Sequence, residues 1–264
     1  MTAIAANLEW MFTEAGPDTA SRIRAAAAAG IKDVEIWTWR DKDIPAIRTA
    51  LAETGVRLLS LIVEPQLQIT DPSTHADYLV AVAESLEVAR QLDAPYLVAV
   101  AGDDREGISR AEQHDAVVAA LGDAANVIED ERSAVVLLLE NLNSRVDHVG
   151  TYLDSTEEGL DIVAEVGSAH LRLLLDAYHA LVMDEDLEQE LDGRIDLVGH
   201  VQVADAPGRH EPGTGSLDWQ KQISALRELG YTGVFGMEYQ PTTETVASLA
   251  EITGIVDAVD GAKG

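Results

Sequence analysis

The sequence predicts an α/β protein, a single-domain (β/α)8 TIM barrel spanning residues 1–264. Short apolar runs of strand length alternate eight times with amphipathic helical segments, so 264 residues in eight units leave about 33 per unit, which suits βαβ crossovers. Several runs are continuously apolar, as strands are when both faces of a parallel sheet are covered. The alternative is a doubly wound sheet, but Glu9-Trp10-Met11-Phe12 stands where that fold usually carries a Gly-rich turn.

The predicted strands and helices follow one another without a segment that resembles a linker. Strand candidates occupy residues 4–8, 33–37, 58–63, 96–101, 136–140, 173–176, 200–205 and 234–238. Helix candidates occupy residues 21–29, 43–54, 75–92, 112–129, a segment beginning at 155, and then 184–191, 218–229 and 243–256. Helix starts are marked by N-capping residues, namely Asp18, Asp43, Asp218 and the capping-box pair Ser155 and Glu158.

The composition is that of a globular protein with a large excess of acidic residues. Hydrophobic residues make up 47% of the chain, so a large core can be buried. Asp and Glu number 47 against 18 Lys and Arg, a net charge of −29. Such a protein repels phosphate backbones, and no basic cluster breaks the pattern, so we expect no nucleic-acid partner. The acidity itself is more typical of a soluble surface than of a binding function.

Several classes of site and location are excluded or disfavoured by the sequence. The chain has no cysteine, which excludes disulfides, thiolate metal sites and cysteine nucleophiles. Neither a Gly-x-Ser-x-Gly elbow, a P-loop nor a His-Glu-x-x-His motif occurs. No apolar run approaches the ~18 residues of a membrane span, and the N-terminus lacks the basic region of a signal peptide. We therefore expect a cytoplasmic protein without a membrane partner.

Oxygen-bearing side chains close four successive strands in the second half of the chain. Glu140, Asp176, Gln202 and Glu238 end strands five to eight, which are neighbours around a barrel. The carboxyl ends of barrel strands are where such folds keep their chemistry. Three carboxylates in one cleft repel each other, and a divalent cation would relieve that repulsion. The all-oxygen set predicts a hard ion, Mg²⁺ or Mn²⁺.

Candidate substrate-binding residues lie close to these strand ends. His179 follows Asp176 by three residues, which favours contact with substrate over the alternative of a surface histidine. Residues 205–215 are rich in turn formers and could be only a flexible loop. They carry Arg209 and His210, however, in a chain with little positive charge, and a guanidinium suits a carboxylate or a pair of hydroxyls.

Further pocket residues are indicated by position alone. Trp37 and Trp39 fall on one side of an extended segment and could wall a pocket, although core packing is the commoner role of tryptophan. Asn141, Asn143 and His148 follow strand five and are candidate contacts at the rim. We include Trp39 and Asn141 among the predicted substrate contacts.

Taken together, these motifs resemble the hydroxypyruvate isomerase family, a branch of the xylose isomerase-like TIM barrels. The segments that carry the resemblance are residues 7–14, 139–143, 175–179, 200–204, 208–215, 230–233 and 238–239. The Arg-His-Glu-Pro-Gly-Thr-Gly sequence at 209–215 is the most specific of them. The chain departs from the family at 37–40, where Trp-Thr-Trp-Arg replaces a Pro-Tyr type of segment, and at 63–73, which is shorter.

The resemblance implies functions for matching positions. By position, the family's metal ligands fall on Glu140, Asp176, Gln202 and Glu238, its acid/base pair on Glu140 and Glu238, and its substrate contacts on His179 and Arg209. The implied activity is divalent-metal-dependent isomerisation of hydroxypyruvate, tartronate semialdehyde or a short sugar acid, by proton transfer through an enediolate. A homodimer is possible for barrels of this kind.

Three alternatives to this activity remain. The same residues could perform 3-epimerisation of a ketose or another sugar isomerisation. A related barrel cleaves abasic DNA, but that reaction needs a basic groove, and the net charge of −29 argues against it. A non-enzymatic alternative is a sugar-binding or partner subunit on a catalytically idle barrel, which the complete set of four strand-end donors disfavours.

Overall fold

The computed structural model describes residues 3–262, and its strands close into a barrel in which each strand pairs in parallel with its neighbours in chain order. The strands are β1 Ile4–Asn7, β2 Asp33–Glu35, β3 Arg57–Ile62, β4 Tyr96–Ala99, β5 Val136–Glu140, β6 Leu171–Asp176, β7 Val198–Val203 and β8 Phe235–Met237. The predicted (β/α)8 barrel is therefore confirmed. Each predicted strand is present, with boundaries that differ by a few residues at most.

Helices surround the barrel and connect its strands. They are α1 Thr19–Ala28, α2 Ile44–Thr54, α3 His75–Gln91, α4 Arg110–Asp130, α5 Thr156–Val166, α6 Ala177–Val182, α7 Leu187–Leu191, α8 Trp219–Leu229, α9 Thr245–Ser248 and α10 Ala250–Gly261. Within residues 3–262, no helix combines the length and the apolarity that a membrane span requires.

Two predicted helices have different boundaries in the structure. The segment predicted as one short helix at 184–191 contains α7, and a separate helix, α6, begins directly after β6. This early start has a local cause, because a carboxylate oxygen of Asp176 accepts hydrogen bonds from the backbone N–H groups of Tyr178 and His179. His179 therefore lies in a helical turn, not in a loop. The predicted last helix is divided into α9 and α10.

The four N-caps predicted from the sequence are present, at the starts of α1, α2, α5 and α8. The Asp18 carboxylate accepts the N–H of Ser21 at 2.8 Å, which satisfies one of the backbone donors that a helix start leaves unpaired. Ser155 caps α5, but the reciprocal capping box predicted there does not form, because the Glu158 carboxylate binds Arg110 instead. Both hydrogen bonds of a capping box are present at the start of α4.

Strand alternation and register determine which side chains meet inside the barrel. Successive residues of a strand point to opposite faces, so Leu138 and Glu140 share a face of β5, as do Leu174 and Asp176 on β6. Val98, Leu138 and Leu174 form a small buried cluster separate from the main core between strands and helices. Asp176 is paired directly with Gln202 on β7. The predicted oxygen donors therefore lie together on the barrel's inner face.

Candidate active site

The carboxyl ends of the strands surround a cavity of about 390 Å³. Its walls come from several different βα units, as is usual for sites in barrels of this architecture. The lining residues are Trp10, Trp37, Ile62, Gln66, Val100, Glu140, Leu142, Asp147, His148, Arg209 and Glu238. Both predicted acid/base glutamates are among them.

Glu238 is the most extensively hydrogen-bonded carboxylate of the cavity. Its Oε1 accepts three donors, Asn7 Nδ2 at 3.1 Å, Trp37 Nε1 at 2.6 Å and Gln202 Nε2 at 3.2 Å. Its Oε2 accepts the guanidinium of Arg209 at 2.5 Å. Charge-assisted hydrogen bonds of this kind fix both the position and the plane of a carboxylate.

The carboxylates of this site disfavour each other's ionisation. Burial raises the pKa of Glu238 to about 7, although the nearby Arg209 guanidinium opposes the shift. Burial, followed by the negative charges of Glu238 and Asp176, raises the pKa of Glu140 well above its ordinary value. Burial also raises the pKa of Asp176, against the effect of Arg209. A cluster with such pKa shifts favours an additional cation.

The two oxygens of Asp176 have different surroundings. Oδ1 accepts the backbone N–H groups of Tyr178 and His179 at the start of α6. Oδ2 lies 3.3 Å from His179 Nε2 and 3.4 Å from the Arg209 guanidinium. One possible ligand atom each from Glu140, Asp176 and His179 lies within 4.8 Å of the others. Glu140 and Asp176 can thus bring carboxylate oxygens to one ion, Asp176 through Oδ2, which the backbone N–H groups of α6 leave available and which only the Arg209 guanidinium hydrogen-bonds among residues 3–262.

The side chain of Gln202 presents an unpaired oxygen to this cluster. Its Nε2 donates to Glu35 Oε2 and Glu238 Oε1, both at 3.2 Å. Its Oε1 is buried, and no hydrogen-bond partner for it exists among residues 3–262. Buried polar atoms are rarely left unpaired, because desolvation without a new partner costs free energy. An unpaired amide oxygen beside carboxylates fits a hard divalent cation.

His179 is a buried, neutral imidazole held in one tautomer. Asn143 Nδ2 donates to its Nδ1 at 2.6 Å, so the ring proton resides on Nε2. The Asn143 amide is itself fixed, since it also donates to Asp147 at 2.6 Å. Burial lowers the pKa of His179 to about 2, and Arg209 contributes to the same shift. The side chain therefore offers a neutral N–H donor, buried and without a hydrogen-bond partner in the described part of the chain.

The guanidinium of Arg209 packs against two aromatic rings. Its guanidinium carbon lies 5.1 Å from the ring centre of Trp10 and 5.2 Å from that of Tyr178. Its backbone has a positive φ of 54°, a conformation that a non-glycine residue adopts only where the surrounding structure requires it. These contacts bring a permanent positive charge to the carboxylate cluster in a strongly acidic protein.

The loop that carries Arg209 is organised by Asp205. The two oxygens of this carboxylate accept backbone N–H groups from Gly213 at 2.8 Å, Gly215 at 3.0 Å and Leu217 at 3.1 Å. A Cβ at position 215 would lie 2.2 Å from the carbonyl oxygen of Ala206, so only glycine fits there. Segment 205–215 is therefore a fixed loop that positions Arg209, not the flexible loop that its composition left open.

Two predicted substrate contacts lie away from the cavity lining. The Trp39 indole N–H donates to Ser85 on α3 at 3.2 Å, and the cavity wall is formed by Trp37 and Trp10 instead. His210 Nδ1 lies 2.8 Å from the carbonyl oxygen of Gln240. The structure thus brings neither Trp39 nor His210 to this cavity.

Asn141 is directed at the backbone of the neighbouring strand. Its Oδ1 accepts the N–H of Asp176 at 3.0 Å, and its Nδ2 donates to the carbonyl oxygen of the same residue at 3.2 Å. This exchange continues the β5–β6 pairing at the point where Glu140 and Asp176 leave the strands. The observed position is that of a residue which fixes Asp176.

Several site residues were not identified from the sequence. Asn7 and Glu35 end β1 and β2, and both contact the predicted metal ligands. The signal that could have found them is the one used for strands five to eight, a polar side chain at the last inward-facing position of a strand. His200 precedes Gln202 by two residues and therefore lies on the same face of β7. The sequence indicated it only as part of the segment 200–204.

Fold and site define an α/β barrel with a buried acidic centre that could hold a metal ion, and comparison with known proteins gives its family. Residues 23–255 match the family model of the xylose isomerase-like TIM barrel, and the chain belongs to that family.

Named relatives cover nearly the whole chain. Hydroxypyruvate isomerase of Escherichia coli strain K12 is 29% identical, with 94% of this chain and 97% of that protein covered. 2-Oxo-tetronate isomerase of Cupriavidus necator is 30% identical, with 94% and 96% covered. A crystal structure of a Brucella melitensis protein, described as AP endonuclease, family 2, superposes with a TM-score of 0.87 at 29% identity, with 96% and 99% covered. The resemblance to hydroxypyruvate isomerases is thereby confirmed, and the curated relatives described here are isomerase enzymes.

Proposed function

We propose that this protein is a divalent-metal-dependent isomerase of a small 2-hydroxy carbonyl compound, with hydroxypyruvate, tartronate semialdehyde or a short sugar acid as substrate class. The observation that carries the proposal is the convergence of four strand-end oxygen donors: Glu140 and Glu238 line the cavity, Gln202 contacts Glu238 and pairs with Asp176, and the Gln202 oxygen is buried and unpaired within residues 3–262. The named activities of the E. coli and C. necator relatives support the substrate class.

The four strand-end residues would hold one metal ion, Mg²⁺ or Mn²⁺. Their donors are all oxygens, and burial raises the pKa of each of the three carboxyl groups, so a further positive charge would favour their ionised forms. When bound, the ion would act as a Lewis acid that polarises the substrate carbonyl and makes the adjacent C–H more acidic.

Glu140 and Glu238 are proposed as the acid/base pair. One carboxylate removes the proton from the hydroxyl-bearing carbon, and an enediolate forms. The hydroxyl proton passes to the former carbonyl oxygen, and the carbon-bound proton returns to the neighbouring carbon, so that the hydroxyl and carbonyl groups have exchanged places. The two groups are not equivalent, because Glu238 accepts four donors, whereas Glu140 accepts no side-chain hydrogen bond among the described residues. Different environments are what allow two carboxyl groups to divide acid and base functions.

His179 and Arg209 are proposed to bind the substrate's oxygens. The neutral N–H at His179 Nε2 would donate to the oxygen on which negative charge develops. Arg209 is the one permanently charged cation among the residues that line the cavity, and its planar fork suits a carboxylate. An anionic substrate needs such a group, since the protein as a whole repels it.

Each of the three alternative functions makes a different demand on this cavity. Ketose 3-epimerisation would use the same glutamates, and the carbon that exchanges its proton distinguishes it. Although one similar structure is described as an AP endonuclease, a cavity lined by carboxylates in a chain of net charge −29 does not suit a DNA backbone. An idle barrel would bind the metal weakly or would not turn over any short keto acid or ketose.

The test combines metal analysis with NMR in D₂O. The purified protein is loaded with Mg²⁺ or Mn²⁺ and incubated with hydroxypyruvate, tartronate semialdehyde and a panel of short ketoses and keto sugar acids. We expect metal-dependent interconversion of a hydroxy aldehyde and a hydroxy ketone, with deuterium entering at the two carbons that exchange oxidation state. Deuterium entry with inversion at C3 of a ketose would favour the epimerase. Absence of both metal binding and exchange would overturn the proposal.

A further inference from the structure

A buried carboxylate and imidazole, Glu35 and His200, lie inside the barrel directly beneath the proposed metal ligands. Their side chains are 1% and 2% exposed, and neither belongs to the predicted site. His200 Nε2 donates a hydrogen bond to Glu35 Oε1. We propose that Glu35 is a positioning residue that holds the Gln202 amide with its oxygen facing the metal, an inference that rests on the proposed function.

The two ends of a glutamine amide have almost the same shape, so neighbouring groups decide which end faces a ligand. Gln202 Nε2 lies 3.2 Å from Glu35 Oε2 and 3.2 Å from Glu238 Oε1. Rotation of the amide by 180° would place its oxygen against two carboxylate oxygens, with no proton between them. Only one orientation is therefore compatible with these neighbours, and it leaves Oε1 buried and unpaired.

The position of Glu35 is itself fixed. His200 binds one carboxylate oxygen, which leaves the other oxygen for Gln202. The His200 ring is stacked on Tyr96, with ring centres 5.9 Å apart. A Cβ at position 236 would lie 2.7 Å and 2.8 Å from the two Glu35 oxygens and 2.8 Å from His200 Nε2. The absence of a side chain at Gly236 therefore leaves the space that the Glu35 and His200 side chains occupy.

The orientation has a direct chemical consequence for the ion. An amide oxygen is a good ligand for Mg²⁺ or Mn²⁺, whereas an amide NH₂ has no available lone pair and would direct its protons at the cation. Outer groups that orient a metal ligand typically change metal affinity by about 10–100-fold when mutated. Glu35 makes this contribution without touching the ion.

Glu35→Gln reverses the hydrogen-bond polarity at this point. In this variant His200 donates to the oxygen of the amide introduced at position 35. The NH₂ group of that amide therefore faces Gln202 and requires an acceptor. Gln202 can satisfy it only by turning its own oxygen away from the metal. We therefore expect Mn²⁺ affinity, measured by calorimetry and by EPR of the free ion, to fall by about 10–100-fold.

Glu35→Gln should not lower Mn²⁺ affinity when residue 202 is a carboxylate, because a carboxylate ligand does not have to be oriented. In Gln202→Glu the ligand has two equivalent oxygens, and Glu35 then faces it as a second carboxylate. Adding Glu35→Gln to this background supplies a donor and removes a repulsion, so Mn²⁺ affinity should stay the same or increase. Such a double-mutant cycle isolates the coupling between the two residues. Glu185→Gln, a carboxylate that caps the α5 start away from the cavity, is the matched control and should leave affinity unchanged.

The outcomes distinguish this inference from the proposed function. If the wild-type protein binds no Mn²⁺, the proposed function fails. If the wild type binds Mn²⁺ and Glu35→Gln binds it equally well, the positioning role of Glu35 is overturned. It is also overturned if Glu35→Gln weakens binding equally in both backgrounds, because Glu35 would then act through charge or folding and not through Gln202. Thermal unfolding of the metal-free proteins identifies variants that are simply misfolded.

Discussion

The guanidinium of Arg209 lies 2.5 Å from Glu238 Oε2 and 3.4 Å from Asp176 Oδ2. One positive charge is thus placed among three buried carboxylates, with Glu140 as the third. A divalent ion bound by Glu238 and Asp176 would meet this charge at close range. The arrangement is consistent with an arginine that exchanges its bond to Glu238 for a bond to the carboxylate of an incoming substrate.

Arg209→Gln should separate anionic from neutral substrates. Loss of a charge-assisted hydrogen bond to a substrate carboxylate costs about 1.5–3 kcal/mol, or roughly 10-fold to 150-fold in KM. A ketose without a carboxylate should show a much smaller change. Steady-state kinetics with both substrate types measures the difference, and Arg24→Gln, which removes an exposed ion pair with Glu53, is the control. Equal losses for both substrates would exclude carboxylate recognition by Arg209.

Glu238→Gln should leave a folded protein with almost no isomerase activity. The amide keeps the size of the side chain and an acceptor for the donors on Oε1, but it cannot take up a proton. Removal of a general base typically lowers the rate by about 10²–10⁴-fold. Exchange of substrate protons with D₂O, followed by NMR, measures this step directly. Glu53→Gln is the exposed control, and turnover near the wild-type rate in Glu238→Gln would rule out the acid/base assignment.

The stability of the metal-free protein should fall as pH rises through the carboxyl range. The pKa of Glu238 is about 7 in the folded protein, above the ordinary value of 4.5, because of burial. The native state therefore binds more protons than the unfolded state between these values, and the free energy of unfolding decreases as pH rises from 4.5 to about 7. Urea unfolding in EDTA at several pH values checks this.

Glu238→Gln removes the titrating group and should make this pH dependence shallower. Mn²⁺ should oppose the loss in the wild type, because an ion that binds only the native state stabilises it by mass action. A wild-type stability that rises between pH 5 and 7 without metal, and does so equally in the variant, would contradict the raised pKa of Glu238.

The parts of the site that could be predicted are those that depend on position within one strand. Glu140, Asp176, Gln202 and Glu238 each end an apolar run, and parallel pairing in chain order brings such ends together. Knowing the strands was therefore enough to expect these four side chains at one rim. The same argument gave the fold, because eight alternating units leave few arrangements of the chain.

The parts that could not be predicted depend on contacts between distant strands or on where a strand stops. Glu35 and His200 are 165 residues apart, and their contact requires the empty space at Gly236. Trp37 rather than Trp39 walls the cavity, because β2 ends at Glu35 and the backbone N–H of Trp39 is bound by Glu64. No local pattern of residue types contains this information.

His179 should act as a neutral donor throughout the working pH range. Its pKa of about 2 means that no protonation of this ring contributes to the pH profile of kcat near neutrality. His179→Leu removes the donor at Nε2, and loss of a donor to developing charge typically lowers kcat by about 10²–10³-fold.

Asn143→Leu tests the tautomer at the same ring. Without the Asn143 N–H, the proton can move to Nδ1, and Nε2 would then face the substrate as an acceptor. We expect kcat to fall with little change in KM, and burial of the ring to keep the pH profile without a histidine step. His114→Gln on α4, a histidine beside Glu165, is the control and should behave as wild type. A wild-type profile with a step near pH 6.5 that disappears in His179→Leu would show that the imidazole is protonated in the cycle, and the neutral-donor role would then be wrong.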